Sequence, residues 1–341
     1  MVIAIARRAA TAVVTLALSA FFVFFATQAL PGDVAEQLLG RNATPEAVAT
    51  LRERLGLDTN VWLRFVEWLG NAATGDFGVS LVSGNAVAPV VWTAFSHTLI
   101  IAVPAIVFGI GLSVLLGVYA GARRGRTADS AISVATLAAM SIPEFVVATV
   151  LVLVFAIALP IFPAVVLAGS EATFGELVPA AILPIVTLIL AMSAYIVRAT
   201  RTSVVDGLES EHAISATMKG VAPRRVLWRH VLPTAMLPVL PVIALNVAWL
   251  LGGVVVVESV FNYPGLGKLM IDSVSTRDLP VLQAIALLSA LVYVSVNLLA
   301  DLVAMLFDPR QRPSNTRPSK TRPGRAARRV PSPTSTTEVT E

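Results

Sequence analysis

Long uncharged runs alternate with short polar interruptions along this chain. The runs occupy residues 9–30, 98–122, 130–159, 177–197, 231–257 and 279–300, and only the third holds an acid, Glu144. A bilayer core about 30 Å thick is crossed by roughly 20 apolar helical residues, because only a helix satisfies its own backbone hydrogen bonds in lipid. Helices buried in a soluble domain would show polar faces and would rarely run past about 18 residues without a charge. The pattern predicts an all-α integral membrane protein with six transmembrane helices. The expected spans are 9–30, 97–122, 130–159, 177–198, 233–257 and 279–307. The intervening segments are an N terminus at 1–8, outer loops at 31–96, 160–176 and 258–278, inner loops at 123–129 and 199–232, and a tail at 308–341. The first run follows Arg7 and Arg8 but is longer than a signal-peptide core and lacks a small-residue cleavage pattern, so it reads as a retained anchor.

Composition agrees, with 56% hydrophobic and 13% charged residues. Six spans consume about half of the 341 residues, which leaves no room for a second catalytic domain of ordinary size. Cysteine is absent, so neither a disulfide framework nor a thiolate metal site is available. Of the 25 Lys and Arg residues, nineteen fall before the first run, in 123–126, in 198–229 and after 308; the other six share the alternate loops with twelve acids. The positive-inside bias then places both termini in the cytoplasm of a multi-pass cell membrane protein. The tail carries a net charge of +5, so the rest nets −1 and no nucleic-acid-binding face is implied.

Within the long outer loop, Ala43-Thr44-Pro45-Glu46 predicts a helix start, with Thr44 as N-cap and Pro45 in the first turn, and Gly56 predicts a left-handed cap at its end. Residues 61–69 form an amphipathic piece carrying Trp62, Phe65 and Trp68, suited either to the outer leaflet or to packing on a neighbouring helix. Gly75-Asp76-Phe77-Gly78 predicts a turn. The inner loop at 199–232 is far longer than a connection requires, and it predicts a helix at 209–218 closed by Gly220, then a second start at Ala222-Pro223: a structured platform. Rich in Pro, Ser, Thr and Arg, the tail cannot bury apolar surface and should be disordered, with at most a loose attraction to anionic lipid.

Catalytic and energy-coupling chemistry is mostly absent. Gly265-Leu266-Gly267-Lys268 lacks the spacing and the Ser/Thr of a phosphate-binding loop, and His97, His212 and His230 form no metal-binding pair. No nucleophile elbow occurs. The chain therefore reads as a non-enzyme that binds no cofactor or metal, and a single deep acid is a thin basis for an ion-coupled secondary transporter. Six spans with a dedicated platform and no engine imply that force arrives through a partner.

The segment 210–220, Ser-Glu-His-Ala-Ile-Ser-Ala-Thr-Met-Lys-Gly, followed after nine residues by His230-Val231-Leu232-Pro233, resembles the EAA loop of binding-protein-dependent ABC importer permeases. Leu30-Pro31-Gly32-Asp33, the run from Ala43-Thr44-Pro45-Glu46 to Leu55-Gly56-Leu57-Asp58, the run from Glu258 to Gly267, and Asp301 to Asp308-Pro309-Arg310 resemble the dipeptide, oligopeptide and nickel branch. The likeness covers roughly residues 5–312. Ile214 and Ser215 depart from the motif's acid and first alanine, His212 stands where this branch usually has tyrosine, and Val34 where proline is common.

The resemblance implies a type I-like importer permease fold and alternating access driven by two ABC ATPase subunits that bind the ATP and magnesium. It also implies a second, related permease and an extracytoplasmic solute-binding protein. Residues expected to couple to the ATPase are Glu209, Glu211, His212, Ala213, Ala216, Lys219 and Gly220, with the small side chains permitting close approach. Candidates for the translocation path are Pro143, Glu144, Asn246, Glu258, Phe261, Tyr263, Pro264 and Gly265. Di- or oligopeptides are favoured over nickel because His97 with Glu144 makes a poor set of metal ligands. Nickel, or another small solute such as an opine or a glutathione-like compound, is the alternative substrate.

Overall fold

A computed structural model describes residues 2–29, 36, 39, 43–54, 56, 58–166 and 172–307. The Leu30-Pro31-Gly32-Asp33 motif, Leu55 and Leu57, and the tail from Asp308 lie outside the described residues. Eleven helices organise the rest: α1 (Val2–Gln28), α2 (Pro45–Arg54), α3 (Val61–Ala73), α4 (Val87–Ala122), α5 (Thr127–Ser141), α6 (Glu144–Leu151), α7 (Phe174–Leu208), α8 (Glu211–Met218), α9 (Leu232–Val260), α10 (Leu266–Thr276) and α11 (Leu279–Phe307). The short turn Pro223–Arg225 and a π-helical stretch, Val226–Val231, lead directly into α9.

Five helical segments are long and apolar enough to cross a membrane: Ala6–Gln28, Val87–Ala122, Phe174–Leu208, Pro223–Leu250 and Leu279–Ala300. The sequence predicts one more continuous span at 130–159. Instead, α5 and the segment Glu144–Ala158, in which α6 runs on through a π-helical stretch, meet at a bend of 104°, so this stretch is not one straight helix. Pro143 explains the break. Its ring disfavours helical backbone in the preceding residue, and Ile142 is extended (φ −99°, ψ 123°), after which α6 starts afresh at Glu144. Two other spans overrun their predicted limits: α4 begins ten residues before 97, and α7 reaches Leu208, well into the predicted inner loop.

The centre of the bundle is the contact between α4 and α7. Along α4, Gly109, Ser113, Gly117 and Gly121 recur every four residues and are all buried. Small residues at that spacing let two helix backbones approach closely, which is the main source of helix affinity where lipid removes the hydrophobic drive. A Cβ added at Gly117 would lie 2.5 Å from Thr200 Cβ and 2.8 Å from the Val197 carbonyl oxygen. Ile101, Ala105, Leu188, Met192, Ile196, Leu250 and Val254 build the core around this seam from α4, α7 and α9.

At one edge, α1 packs against α11, and Gln283 donates to Thr27 at 2.6 Å between them. The α3 helix settles the two alternatives open to its aromatic face. Phe21, Phe24 and Phe25 of α1 interleave with Trp62, Phe65 and Trp68 at ring separations of 5.0–6.3 Å, so α3 packs on α1. Ahead of α2, Thr44 caps as predicted, accepting from the Ala47 amide at 3.3 Å. The Gly56 φ of 62° is the left-handed conformation expected at that position.

Candidate functional site

At the arginine-rich end, α8 forms the body of the platform. Its C-terminus closes in a double-bonded glycine cap: the Gly220 amide donates to Thr217 at 2.9 Å and the Val221 amide to Ala216 at 3.2 Å, with Gly220 at φ 77°. Ala213 is 1% exposed and packs among Val118, Val204, Val226, Val231 and Ala235, joined by the half-buried Ala216. The small side chains thus make their close approach inward, onto this chain's own helices. The face left open carries Glu211, His212, Ile214, Ser215, Met218 and Lys219, and Met218 is 83% exposed. Ile214, noted in the sequence only as a departure from the motif, and Met218 are not among the residues expected to couple. Two large apolar residues outside the longest apolar runs were the available signal.

Two ion pairs root this platform. Glu209 pairs with Arg124 of the turn between α4 and α5. Asp129, one residue ahead of the apolar run in α5, takes both a guanidinium contact from Arg201 Nη2 at 2.8 Å and the Gly125 amide at 3.0 Å. Those donors, chiefly Arg201, hold the Asp129 carboxyl well below the usual carboxylate range, at about 2. The pair is nearly closed to solvent on the Asp129 side, so α5, α7 and the basic turn are held as one block.

Deep in the bundle, Glu144 opens α6 and is half-buried. Its Oε2 is buried without a hydrogen-bond partner among the described residues. The carboxyl lies against α9 at Gly253, where an added Cβ would come within 2.8 Å of Oε2. Asn246, two turns earlier on α9, turns its amide back to the Val242 carbonyl at 2.8 Å.

The run 258–265 folds into a cage around one carboxylate. Glu258 is 0% exposed; its Oε1 accepts from Thr98 Oγ1 at 2.6 Å, and its Oε2 accepts from the amides of Gly267 at 2.7 Å and Lys268 at 3.1 Å. These amides begin α10, where the orphan N–H groups and the helix dipole both favour an anion. Thr98 also accepts from the Leu266 amide at 2.7 Å, and His97 Nδ1 sits 2.9 Å from the Pro264 carbonyl. Phe261 and Tyr263 are 1% and 0% exposed, and a Cβ on Gly265 would lie 2.0 Å from Glu258 Oε1. Glu258, Phe261, Tyr263 and Gly265 are thereby brought together with Thr98, whereas Glu144 stands apart at the helix break. Sequence reasoning missed Thr98, for which a lone threonine inside an apolar run gave no signal.

Residues 113–313 match the family described as binding-protein-dependent transport system inner membrane component, and residues 1–107 match the N-terminal region of such membrane components. A probable peptide ABC transporter permease of Sinorhizobium fredii is 34% identical over 308 residues, covering 90% of this chain and 98% of that protein. The glutathione transport system permease of Escherichia coli is 35% identical over 298 residues, covering 87% of this chain and 95% of its own length. The chain belongs to the family of binding-protein-dependent transport system inner membrane components, and it is a permease subunit, not an enzyme.

Proposed function

We propose that this chain forms half of the translocation pathway of an ATP-driven importer for di- or oligopeptides and works by alternating access. The single observation that carries the reading is α8: a helix rooted by Ala213, Glu209 and a glycine cap that nonetheless presents Ile214, Met218 and Lys219 to the outside. Two large apolar side chains four residues apart on one open helix face, Ile214 and Met218, make a surface that a partner can cover. The partner proposed is one of two ATPase subunits, with a second, related permease completing the pair and a solute-binding protein delivering substrate from outside. ATP and magnesium bind the ATPases and not this chain.

The peptide and glutathione relatives support a peptide-like solute over nickel. In this reading Pro143, Glu144 and Asn246 line the path, where the half-buried Glu144 carboxyl, whose Oε2 has no hydrogen-bond partner among the described residues, can meet a peptide amino group. Glu258, Phe261, Tyr263, Pro264 and Gly265 act on the path from behind by fixing α10. Both termini lie in the cytoplasm, on the inner side of the cell membrane.

The absence of cysteine allows a direct test. Met218→Cys, co-expressed with the ATPase subunits, should cross-link to an ATPase cysteine introduced opposite it, and the link should block uptake of labelled peptide. No cross-link at any opposing position in an assembled, transporting complex would reject the reading. Reporter fusions at Asp58 and Asp272 should register outside and those at Gly125 and Lys219 inside; one inversion would overturn the orientation.

A further inference from the structure

A cavity of about 750 Å³ opens between α4, α5 and the Pro223–Val231 segment, at the arginine-rich end of the bundle. Its floor is apolar, made by Leu115, Leu116, Leu208 and Leu227, while Arg123, Arg126 and Arg224 stand at its margin. Among the described residues no carboxylate lines it. Arg124, the neighbouring arginine, is already paired with Glu209, and Asp129 with Arg201. Arg123 lies over the Tyr119 ring at 3.8 Å, which fixes its guanidinium beside the mouth.

We infer that this cavity holds an anionic phospholipid of the surrounding leaflet, its phosphate against the arginines and an acyl chain along the leucines. Depth and charge point to the same occupant. Leu115 and Leu116 precede Arg123 on one continuous helix by seven or eight residues, about 11 Å at 1.5 Å per residue. That offset is the one between a headgroup phosphate and the first part of its acyl chains. Tyr119 and the half-exposed Trp228 sit between the two levels, where amphipathic rings favour the membrane interface. A soluble ATPase can reach the arginines but cannot fill an apolar floor at acyl depth, and a zwitterionic lipid fills the floor but leaves three cations without a counter-charge. Because the cavity joins the basic turn to the segment that follows α8, a bound lipid braces the platform against the membrane helices.

The test uses the full chain reconstituted in phosphatidylcholine vesicles containing equal fractions of brominated phosphatidylglycerol or brominated phosphatidylcholine. The difference in quenching between the chain and Trp228→Phe isolates Trp228. Its emission should be quenched preferentially by brominated phosphatidylglycerol. Arg126→Gln with Arg224→Gln should weaken that preference about thirtyfold, each arginine contributing about a factor of five near an anionic surface. Arg225→Gln with Arg229→Gln removes the same formal charge next to the cavity and should leave the preference intact. Equal quenching by both lipids, or equal loss in both double variants, overturns the proposal in favour of bulk attraction. Unchanged lipid preference in Arg126→Gln/Arg224→Gln with loss of ATPase binding overturns it in favour of a protein contact.

Discussion

The Gly265 Cα and the Glu258 carboxylate occupy the same small space: a Cβ on Gly265 would fall 2.0 Å from Oε1 and 2.5 Å from Oε2. The glycine is required here by close approach, since the acid beneath it spans from α9 to the first amides of α10 and to Thr98. A run that reads in sequence as an outer loop is thus the cap of a helix, built around a buried carboxyl that accepts hydrogen bonds at both oxygens.

Gly265→Ala should accordingly displace Glu258 and free α10. We expect a loss of about 1–3 kcal/mol, the usual cost of overpacking. Glu258→Gln keeps the shape but sets an amide against donors, and should cost about 1–3 kcal/mol, the range for a buried hydrogen-bonding group left unsatisfied. Both are read as a lower unfolding temperature in detergent and as earlier protease cleavage near α10. An unshifted temperature and cleavage pattern for Gly265→Ala would contradict the cage.

The α4 seam separates two glycines on one helix. Gly117→Ala should destabilise the bundle by about 1–3 kcal/mol because backbone and β-carbon atoms of α7 cannot yield. Gly111 has no atom within 4 Å of an added Cβ, so Gly111→Ala should be neutral or should stabilise, by up to about 1 kcal/mol from helix propensity. Size-exclusion profiles and unfolding temperatures of the pair give the comparison; equal behaviour would show that the seam is not close-packed.

Gly220→Val places a β-branched residue at φ 77°. Transport should be lost and ATP hydrolysis should no longer respond to substrate, with the membrane helices unaffected. Gly220→Asn, which tolerates the left-handed region, should retain most function. Normal coupled hydrolysis in the valine variant would disconnect α8 from the ATPases.

Glu144→Gln removes charge while preserving size at the helix break. Reduced peptide uptake with normal assembly is expected, together with a changed preference among peptides of different charge. Unchanged uptake and unchanged preference would assign Glu144 to packing against Gly253.

Asp129 sets a pH boundary. Its carboxyl is held at about 2 in the fold, below the ordinary value near 3.9, so the Arg201 pair contributes fully above about pH 4 and is lost as pH falls through 2. Stability between pH 5 and 8 should therefore be indifferent to this group, as roughly expected for a carboxylate that stays charged throughout. Asp129→Asn should lower the unfolding temperature across that whole interval, and a variant that matched the parent at pH 7 would discount the pair.

Sequence alone determined what depends on the transfer of residues between water and lipid, and on the local chemistry of caps. Run length selected an all-helical membrane chain, the Thr44 and Gly220 caps were legible from residue type, and family motifs pointed to a transport permease. Neighbours across the fold were decided only by tertiary packing. Ala213 had the right size for a partner's cleft but closes onto Val204 and Val231 of its own chain; Glu258 stood in a loop by its charge but is sealed by Thr98, which lies 160 residues away. The same hydropathy window contained a straight helix or two pieces at 104°, and Pro143 with the packing of Glu144 on Gly253 selected the second. Hydropathy and charge are sums along the chain, whereas the face a helix buries depends on the shape of whatever lies opposite, which no local sum contains.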